Sequence, residues 1–409
     1  METTSQWFLT FVKIFLQFIF LLFNSSYEFI VRIIFGPIPG GKVRLRNILF
    51  RHKIDVVEIS RKEDFLLTPG VFVEPTSLDH PNWHIYSIDK DLVTFVYLKS
   101  PIEKYTIAHY PFMFVPVHTD AIQVAQICHD DFIELARALE QRPQPRTVLF
   151  TNTARCGSTL LAKMLNHPGE SVCYGEPHCL TNLSNMDNAA LFSEKRMRTL
   201  LSATITCLRA HTPSNQVCVL KTTSGEARLA KYCDDVTNLK QIFMFRKNGL
   251  LSNERMLRRT EALCIYFLRL LHINPHLTRF IGNWICMESD FLLKCQVNTI
   301  KELAAVYYAA PLTFYKKNAD KYCHPIVYYH DLMSNTTETL QSLFAAIDIP
   351  VECIEKAVAC KSEDSQKNSF LAVDKIKHIK LEKCTDEERS RLEQIAEIMG
   401  IDKSVLDEA

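Results

Sequence analysis

The chain is poor in the residues that build fibrous or low-complexity proteins. It contains only 11 glycines and 17 prolines among 409 residues, which excludes a collagen-like or repetitive architecture. It also has no excess of either charge: 47 Lys and Arg oppose 46 Asp and Glu. A net charge of +1 predicts no broad basic surface for a nucleic acid. With 47% hydrophobic residues, the composition is that of a folded protein of about two to three domains.

Metal-binding cysteine patterns are missing as well. None of the 14 cysteines forms a CxxC pair, so the spacing of small zinc sites is absent and no metal is expected. The chain is too long to need disulfides for its stability. We expect most of the cysteines to be buried thiols, and their number leaves the redox compartment open.

The longest apolar run lies at the amino terminus. Residues 7–23 (WFLTFVKIFLQFIFLLF) are fewer than the ~20 that a membrane span needs. No basic region precedes the run and no A-x-A site follows it, which disfavours a cleaved signal peptide. Two interpretations of residues 1–36 remain. They are an uncleaved signal anchor or an interfacial helix with one polar stripe, formed by Gln6, Thr10, Lys13 and Gln17.

The residues around this run leave its side of the membrane open. By the positive-inside rule, a cytoplasmic domain is favoured by the basic residues that follow the run, Arg32, Lys42, Arg44, Arg46, Arg51 and Lys53. N-glycosylation motifs at Asn24, Asn182 and Asn335 favour a lumen instead, although such motifs are common by chance.

A turn-rich GPIPGG segment separates residues 1–36 from an accessory region over 42–141. In that region HIYSID and LVTFVYL predict a β-hairpin, and FMFVPV predicts a further extended piece. The periodicity of residues 121–141 predicts a helix that ends the region. No function can be argued for this part of the chain.

The main domain is expected over 146–372, followed by a helical tail over 373–409. Its strands RTVLF, VCVLK and KQIFMF alternate with helical segments. This order predicts an α/β domain of three layers with a central parallel sheet.

The most informative segment follows the first of these strands. Residues 153–159 (TARCGST) form a polar loop that leads into a helix, where backbone amides can bind an anion. Gly157 would let the ligand approach the backbone, and Ser158 and Thr159 add hydroxyl donors. The loop lacks the first Gly and the Lys of GxxxxGK[ST], which disfavours magnesium-dependent chemistry on a nucleoside triphosphate.

The segment TARCGSTLLAKMLNHP…YGEP resembles the 5′-phosphosulfate loop of PAPS-dependent sulfotransferases, particularly the Golgi carbohydrate and tyrosylprotein branches. The resemblance covers about residues 146–350, with VLKTTS, QIFMFRKN and IVYYHDLMS in the family's order. It implies a P-loop-like sulfotransferase domain on a Golgi membrane, with attachment to the cytoplasmic face as the alternative. It also implies PAPS (3′-phosphoadenylyl sulfate) as the donor and no metal.

The resemblance assigns roles residue by residue. Glu176 matches the base, while Arg155 and Lys221 would stabilise charge on the transferring group. Arg246 would clamp the 3′-phosphate of the donor. The family's serine eight residues further on is Glu254 here, and the nearest serine is Ser252. The donor would be bound by Arg155, Cys156, Gly157, Ser158, Thr159, Leu160, Arg246 and Ser252.

Cys156 replaces a serine of the family's loop. Two interpretations are open for it. Its thiol at a helix start could have a lowered pKa, or it could be a small residue that points away from the ligand.

The expected function is transfer of a sulfuryl group from PAPS to a hydroxyl or amine. The acceptor could be a carbohydrate, a protein tyrosine or a small alcohol, and the oligomeric state is open. One alternative is a P-loop nucleotide-dependent phosphotransferase or hydrolase. The other is a catalytically inactive nucleotide-binding membrane protein.

Overall fold

The computed structural model describes residues 2–53, 55, 57–274, 276, 279, 288–362, 365–366, 379–381 and 383–406. The strands are β1 Val43–Arg51, β2 Phe65–Leu67, β3 Val71–Val73, β4 Trp83–Ile88, β5 Leu92–Leu98, β6 Ala121–Cys128, β7 Arg146–Asn152, β8 Ser171–Gly175, β9 Val217–Lys221, β10 Leu239–Phe245 and β11 Val327–Tyr328.

The helices surround these strands. They are α1 Glu2–Phe35, α2 Phe114–Thr119, α3 His129–Glu140, α4 Ser158–Met164, α5 His178–Asn188, α6 Glu194–Arg209, α7 Leu250–Arg258, α8 Glu261–Leu271, α9 Ser289–Cys295, α10 Ile300–Lys317, α11 Tyr329–Ser334, α12 Thr336–Ile347, α13 Ile354–Ala359 and α14 Asp386–Met399.

The accessory region forms an antiparallel sheet in the order β2-β1-β6-β5-β4, with β3 paired to β1. β4 and β5 pair as the expected hairpin. The helix predicted over 121–141 is partly wrong, because residues 121–128 form the central strand β6 and the helix begins at His129. In β6, pairs of apolar residues are separated by Gln123 and Gln126, and this three-residue spacing resembles the periodicity of a helix.

A second correction concerns FMFVPV, which was predicted to be extended. Its last four residues begin α2, a short helix that ends at Thr119. Local β-propensity is overridden here because Phe114 and Val117 point into the protein interior, where both are at most 5% exposed.

The predicted α/β fold class is confirmed. The second sheet has five parallel strands in the order β11-β10-β7-β9-β8. One face packs against a cluster that includes α7, α8, α10 and α14. A separate cluster contains residues of α4, α12 and α13 together with those of β7 and β10. These strands are therefore apolar on both sides, as parallel strands between two helical layers are.

The accessory sheet is joined to the parallel sheet along β8. Ile107 N–H donates to the Cys173 carbonyl at 2.8 Å, and Met113 N–H donates to the Gly175 carbonyl at 2.8 Å. Gly175 permits this approach, since a Cβ there would lie 2.6 Å from the Pro111 carbonyl oxygen. The accessory region thereby reaches the carboxyl end of β8.

Candidate active site

The residues that the resemblance singles out lie at the carboxyl ends of the parallel strands. Arg246 follows β10, the 153–159 loop follows β7, Lys221 ends β9 and Glu176 follows β8. In open α/β sheets this edge is where ligands bind. The strand order places Arg246 on one side of the loop and the other two residues on the opposite side.

Gly157 has a left-handed backbone conformation, with φ of 90°, directly before α4. A Cβ at this position would lie 2.6 Å from the ring of Tyr329, the first residue of α11. Both the backbone angle and the close approach therefore require glycine. The tight loop is held against an aromatic ring that comes from the end of β11.

Arg155 also has a left-handed conformation, with φ of 59°, which is unfavourable for a residue with a side chain. Its Nη1 donates to Oε1 of Gln366 at 2.6 Å, and Nε2 of Gln366 lies 3.4 Å from Oγ1 of Thr159. A residue of the carboxyl-terminal part of the chain thus bridges both ends of the loop.

The remaining loop residues are largely buried. The Cys156 side chain has no exposed surface, and burial raises the pKa of its thiol. Its Sγ lies 4.0 Å from Oδ1 of Asn152, within the protein. This geometry favours the second interpretation, a small neutral residue that points away from a ligand. Ser158, Thr159 and Leu160 form the first turn of α4 and are at most 8% exposed.

Glu176 and Lys221 form an ion pair between Oε1 and Nζ, with side-chain exposures of 13% and 2%. Glu176 N–H also donates to the Lys221 carbonyl at 2.6 Å. Glu176 has φ of 60°, another left-handed conformation at the site. Such strain costs about 1–3 kcal/mol and is concentrated at functional sites.

The electrostatics of this pair suit a proton acceptor. Burial raises the pKa of the Glu176 carboxyl, and the positive charge of Lys221 offsets part of that effect. A carboxylate with a raised pKa is a stronger base than an exposed one.

His178, two residues after Glu176, has a structural role. Its Nδ1 lies 3.1 Å from both the backbone nitrogen and Oγ of Ser60, so it accepts from the accessory region. Its ring stacks on Phe114 with centroids 3.9 Å apart. Burial and then Lys53 lower its pKa well below the usual value, which keeps the ring neutral.

Arg246 is half-buried, and its guanidinium lies 4.6 Å from the centroid of the Tyr329 ring. Ser252 is in the first turn of the helix that follows, α7. Glu254 is buried in that helix and pairs with Arg258 at 2.8 Å. The carboxylate at the family's serine position is therefore turned to an internal ion pair.

Sequence reasoning missed two contributors to this site. Tyr329, which reads as a core residue, links Gly157 to Arg246. Gln366 lies about two hundred residues from the loop that it contacts, and no local pattern marks it. For Tyr329, the only signal in the sequence was its position directly after a short strand.

An apolar cluster lies beside the ion pair. The Phe112 ring is 5.9 Å from Lys221 Nζ, and it belongs to a small cluster with Phe114, Val115 and Met256. The cluster contains residues of the accessory region and of α7, and its member Phe112 lies beside the ion pair.

The polar groups present fit an anionic nucleotide donor. Loop amides, two hydroxyls and three cationic side chains (Arg155, Lys221 and Arg246) lie along one sheet edge. Within the described ranges, no group of three or more His, Cys, Asp or Glu residues is arranged to hold a metal ion.

Comparison with known proteins found solved structures of low similarity. No family model matches the chain, and no curated protein matches it. A sulfotransferase structure from Alicyclobacillus acidocaldarius is 13% identical over 65% of this chain and 99% of its own, with a TM-score of 0.37. A sulfotransferase domain from the curacin biosynthetic pathway is 14% identical over 64% and 99%, with a TM-score of 0.32. A sulfotransferase structure from Mycobacterium avium is 11% identical over 67% and 81%, with a TM-score of 0.37. Similarity this low says nothing about the reaction, which has to be inferred from the chain's own residues.

Proposed function

We propose that this protein transfers a sulfuryl group from PAPS to an acceptor hydroxyl or amine. The observation that carries the proposal is the Glu176–Lys221 ion pair next to the 153–159 loop at one sheet edge. A base beside an anion-binding loop is what transfer between a phosphate-linked donor and a hydroxyl requires.

Each residue has a distinct part in the reaction. The donor supplies a sulfuryl group on a phosphate leaving group. Glu176 takes the proton of the acceptor hydroxyl as the new O–S bond forms. The S–O bond to phosphate breaks, and its electron pair stays on the phosphate, next to Arg155, Lys221 and the loop amides. Arg246 binds the 3′-phosphate of the donor, since the planar fork of N–H donors in its guanidinium matches the geometry of a phosphate.

The apolar cluster supports one choice of acceptor class. Phe112 beside Lys221 places aromatic surface next to the reacting groups. An aromatic or lipid-like alcohol would pack on this surface, whereas a carbohydrate would leave its many hydroxyls without partners. We therefore propose an apolar alcohol or phenol as the acceptor.

The reaction is proposed to take place at a membrane, through α1. Within the described residues, one helix is long and apolar enough to cross a membrane, over Phe11–Phe35. The resemblance favours the Golgi, with the cytoplasmic face as the alternative.

Isothermal titration of the full chain in mild detergent with adenosine 3′,5′-bisphosphate, without magnesium, tests the donor site. We expect micromolar binding that is weakened by about 10–100-fold in Arg155→Ala and in Arg246→Ala. Absence of binding by the folded protein would overturn the proposal and favour ATP with magnesium as the next ligand. Binding without turnover over a panel of phenols and lipid alcohols would favour the catalytically inactive alternative.

A further inference from the structure

Helix α1 has its polar side against the protein and its apolar side outward. The inner face consists of Gln17, Asn24, Glu28 and Val31, at the spacing of one helix side. The outer face consists of Phe11, Phe15, Phe18, Leu22, Phe29 and Ile33, which are 50–67% exposed. A helix that met water on its outer side would have the opposite arrangement.

The inner face is fixed to the accessory region by polar contacts. Asn24 Nδ2 donates to the carbonyls of Glu63 and Phe65, both at 3.0 Å. Glu28 accepts from both terminal nitrogens of Arg46, at 2.7 and 2.8 Å. The Arg46 side chain has no exposed surface, so loss of this carboxylate would leave a buried charge without its counterion.

These contacts conflict with a helix that crosses the bilayer. Gln17 is 1% exposed, so the helix is already covered by protein at that position. Residues 2–16 extend about 22 Å, less than the roughly 30 Å of the hydrocarbon core. Residues 17–31 could cross only if Arg46 and the surrounding polar backbone entered the hydrocarbon, which is costly.

The outer face continues onto the folded domain. Phe20 lies 5.9 Å from the ring of Phe50 on β1, and Leu49 and Phe50 are themselves 59% and 53% exposed. An apolar surface larger than one helix is therefore exposed on one side of the molecule, as at a membrane or protein contact.

The charge along α1 matches an anionic lipid surface. Lys13 and Arg32 are exposed, while Glu28 is neutralised by Arg46. Basic side chains outside the apolar face of an interfacial helix pair with lipid phosphates.

We propose that α1 lies in the plane of a phospholipid bilayer, with its outer face among the acyl chains of one leaflet and both chain termini on the same side. This rests on the proposed membrane association but not on sulfuryl transfer. The insertion depth would be about 5–10 Å, as for other interfacial helices.

Flotation of the full chain with vesicles tests attachment. The vesicles contain phosphatidylcholine with a minor fraction of phosphatidylserine. We expect the wild type to float, and Phe15→Glu with Leu22→Glu to lower the bound fraction about tenfold or more. Leu191→Glu is the matched control, because Leu191 is 54% exposed and belongs to neither α1 nor β1. Phe11→Glu with Phe18→Glu is a second pair if the first fails to fold by circular dichroism.

Protease protection of amino- and carboxyl-terminal tags in membranes from expressing cells tests orientation. We expect both tags to be cleaved together or protected together. Protection of only one would overturn the in-plane helix in favour of a span. A wild type that does not float would overturn the proposal. One that sediments as a dimer broken by the outer-face pair would show that a second copy covers this face instead. Nucleotide titration is independent, so these failures leave the sulfotransferase proposal intact.

Discussion

The carboxylate of Glu176 and the ammonium of Lys221 meet across the ends of the neighbouring strands β8 and β9. Because Glu176 N–H also donates to the Lys221 carbonyl, the two residues are joined through both backbone and side chains. Burial raises the pKa of the Glu176 carboxyl, and the charge of Lys221 offsets part of that effect.

Replacement of the proposed base tests its role directly. Glu176→Gln keeps the size of the side chain but removes the proton acceptor, so we expect kcat to fall by about 10²–10⁴-fold. Binding of adenosine 3′,5′-bisphosphate should change little. Glu338→Gln, at an exposed position of α12, is the control. Full turnover in a folded Glu176→Gln protein would remove the assignment.

The pH dependence of the rate should report the same carboxyl. Burial raises the pKa of Glu176, so activity should be lost on acidification at a pH above the usual range for glutamate. Activity should fall, not rise, on acidification, because only the ionised carboxylate can accept a proton. Lys221 lowers this pKa, so Lys221→Ala should move the acid limb of kcat/KM to higher pH. An acid limb that stays in place would show that another group titrates.

Gly157 tests the role of the 153–159 loop, and Gly169, which lies outside that loop, is its matched control. Both have φ near 90°, but a Cβ at Gly157 meets the Tyr329 ring and one at Gly169 meets nothing within 4 Å. Either change to Ala should cost about 1–2 kcal/mol of unfolding free energy from the backbone alone. Only Gly157→Ala should also abolish nucleotide binding, as titration would show. Equal binding by both variants would contradict the loop's role.

Arg246 and Lys247 each lie over a tyrosine ring, at 4.6 and 5.2 Å. If Arg246 binds a phosphate, Arg246→Ala should weaken nucleotide binding by about 10–100-fold, the value of a hydrogen bond to a charged group. Tyr329→Leu should cause a smaller loss, since a cation–π contact is worth about 0.5–1 kcal/mol. Lys247→Ala is the control. Equal losses for Arg246 and Lys247 would indicate a general charge effect.

Glycosylation distinguishes the two sides of the membrane. Asn24 and Asn182 are 1% and 8% exposed, and both side-chain amides donate to backbone carbonyls. Asn335 is exposed at the junction of α11 and α12. Any glycosidase-sensitive mobility shift should therefore disappear in Asn335→Gln. A shift that disappears in this variant would place the domain in the lumen, and glycans at Asn24 or Asn182 would contradict the fold.

The sequence alone predicted the α/β class, since buried parallel strands need consecutive apolar residues, and it predicted the loop, since Gly157 has few structural substitutes. It did not separate the strand 121–128 from a helix, because the apolar pairs of this segment recur every three residues, as on one side of a helix. It also left α1 undecided between a span and an interfacial helix.

Tertiary structure decided what depends on contacts between distant segments. The pairing of Glu176 with Lys221, the position of Tyr329 against Gly157, and the bridge from Gln366 to Arg155 join residues 45 to 211 positions apart. Tertiary structure also determined which side of α1 faces the protein, because Glu28 pairs with Arg46 only when β1 is in its sheet. Local patterns specify elements, but the burial of charge depends on which elements meet.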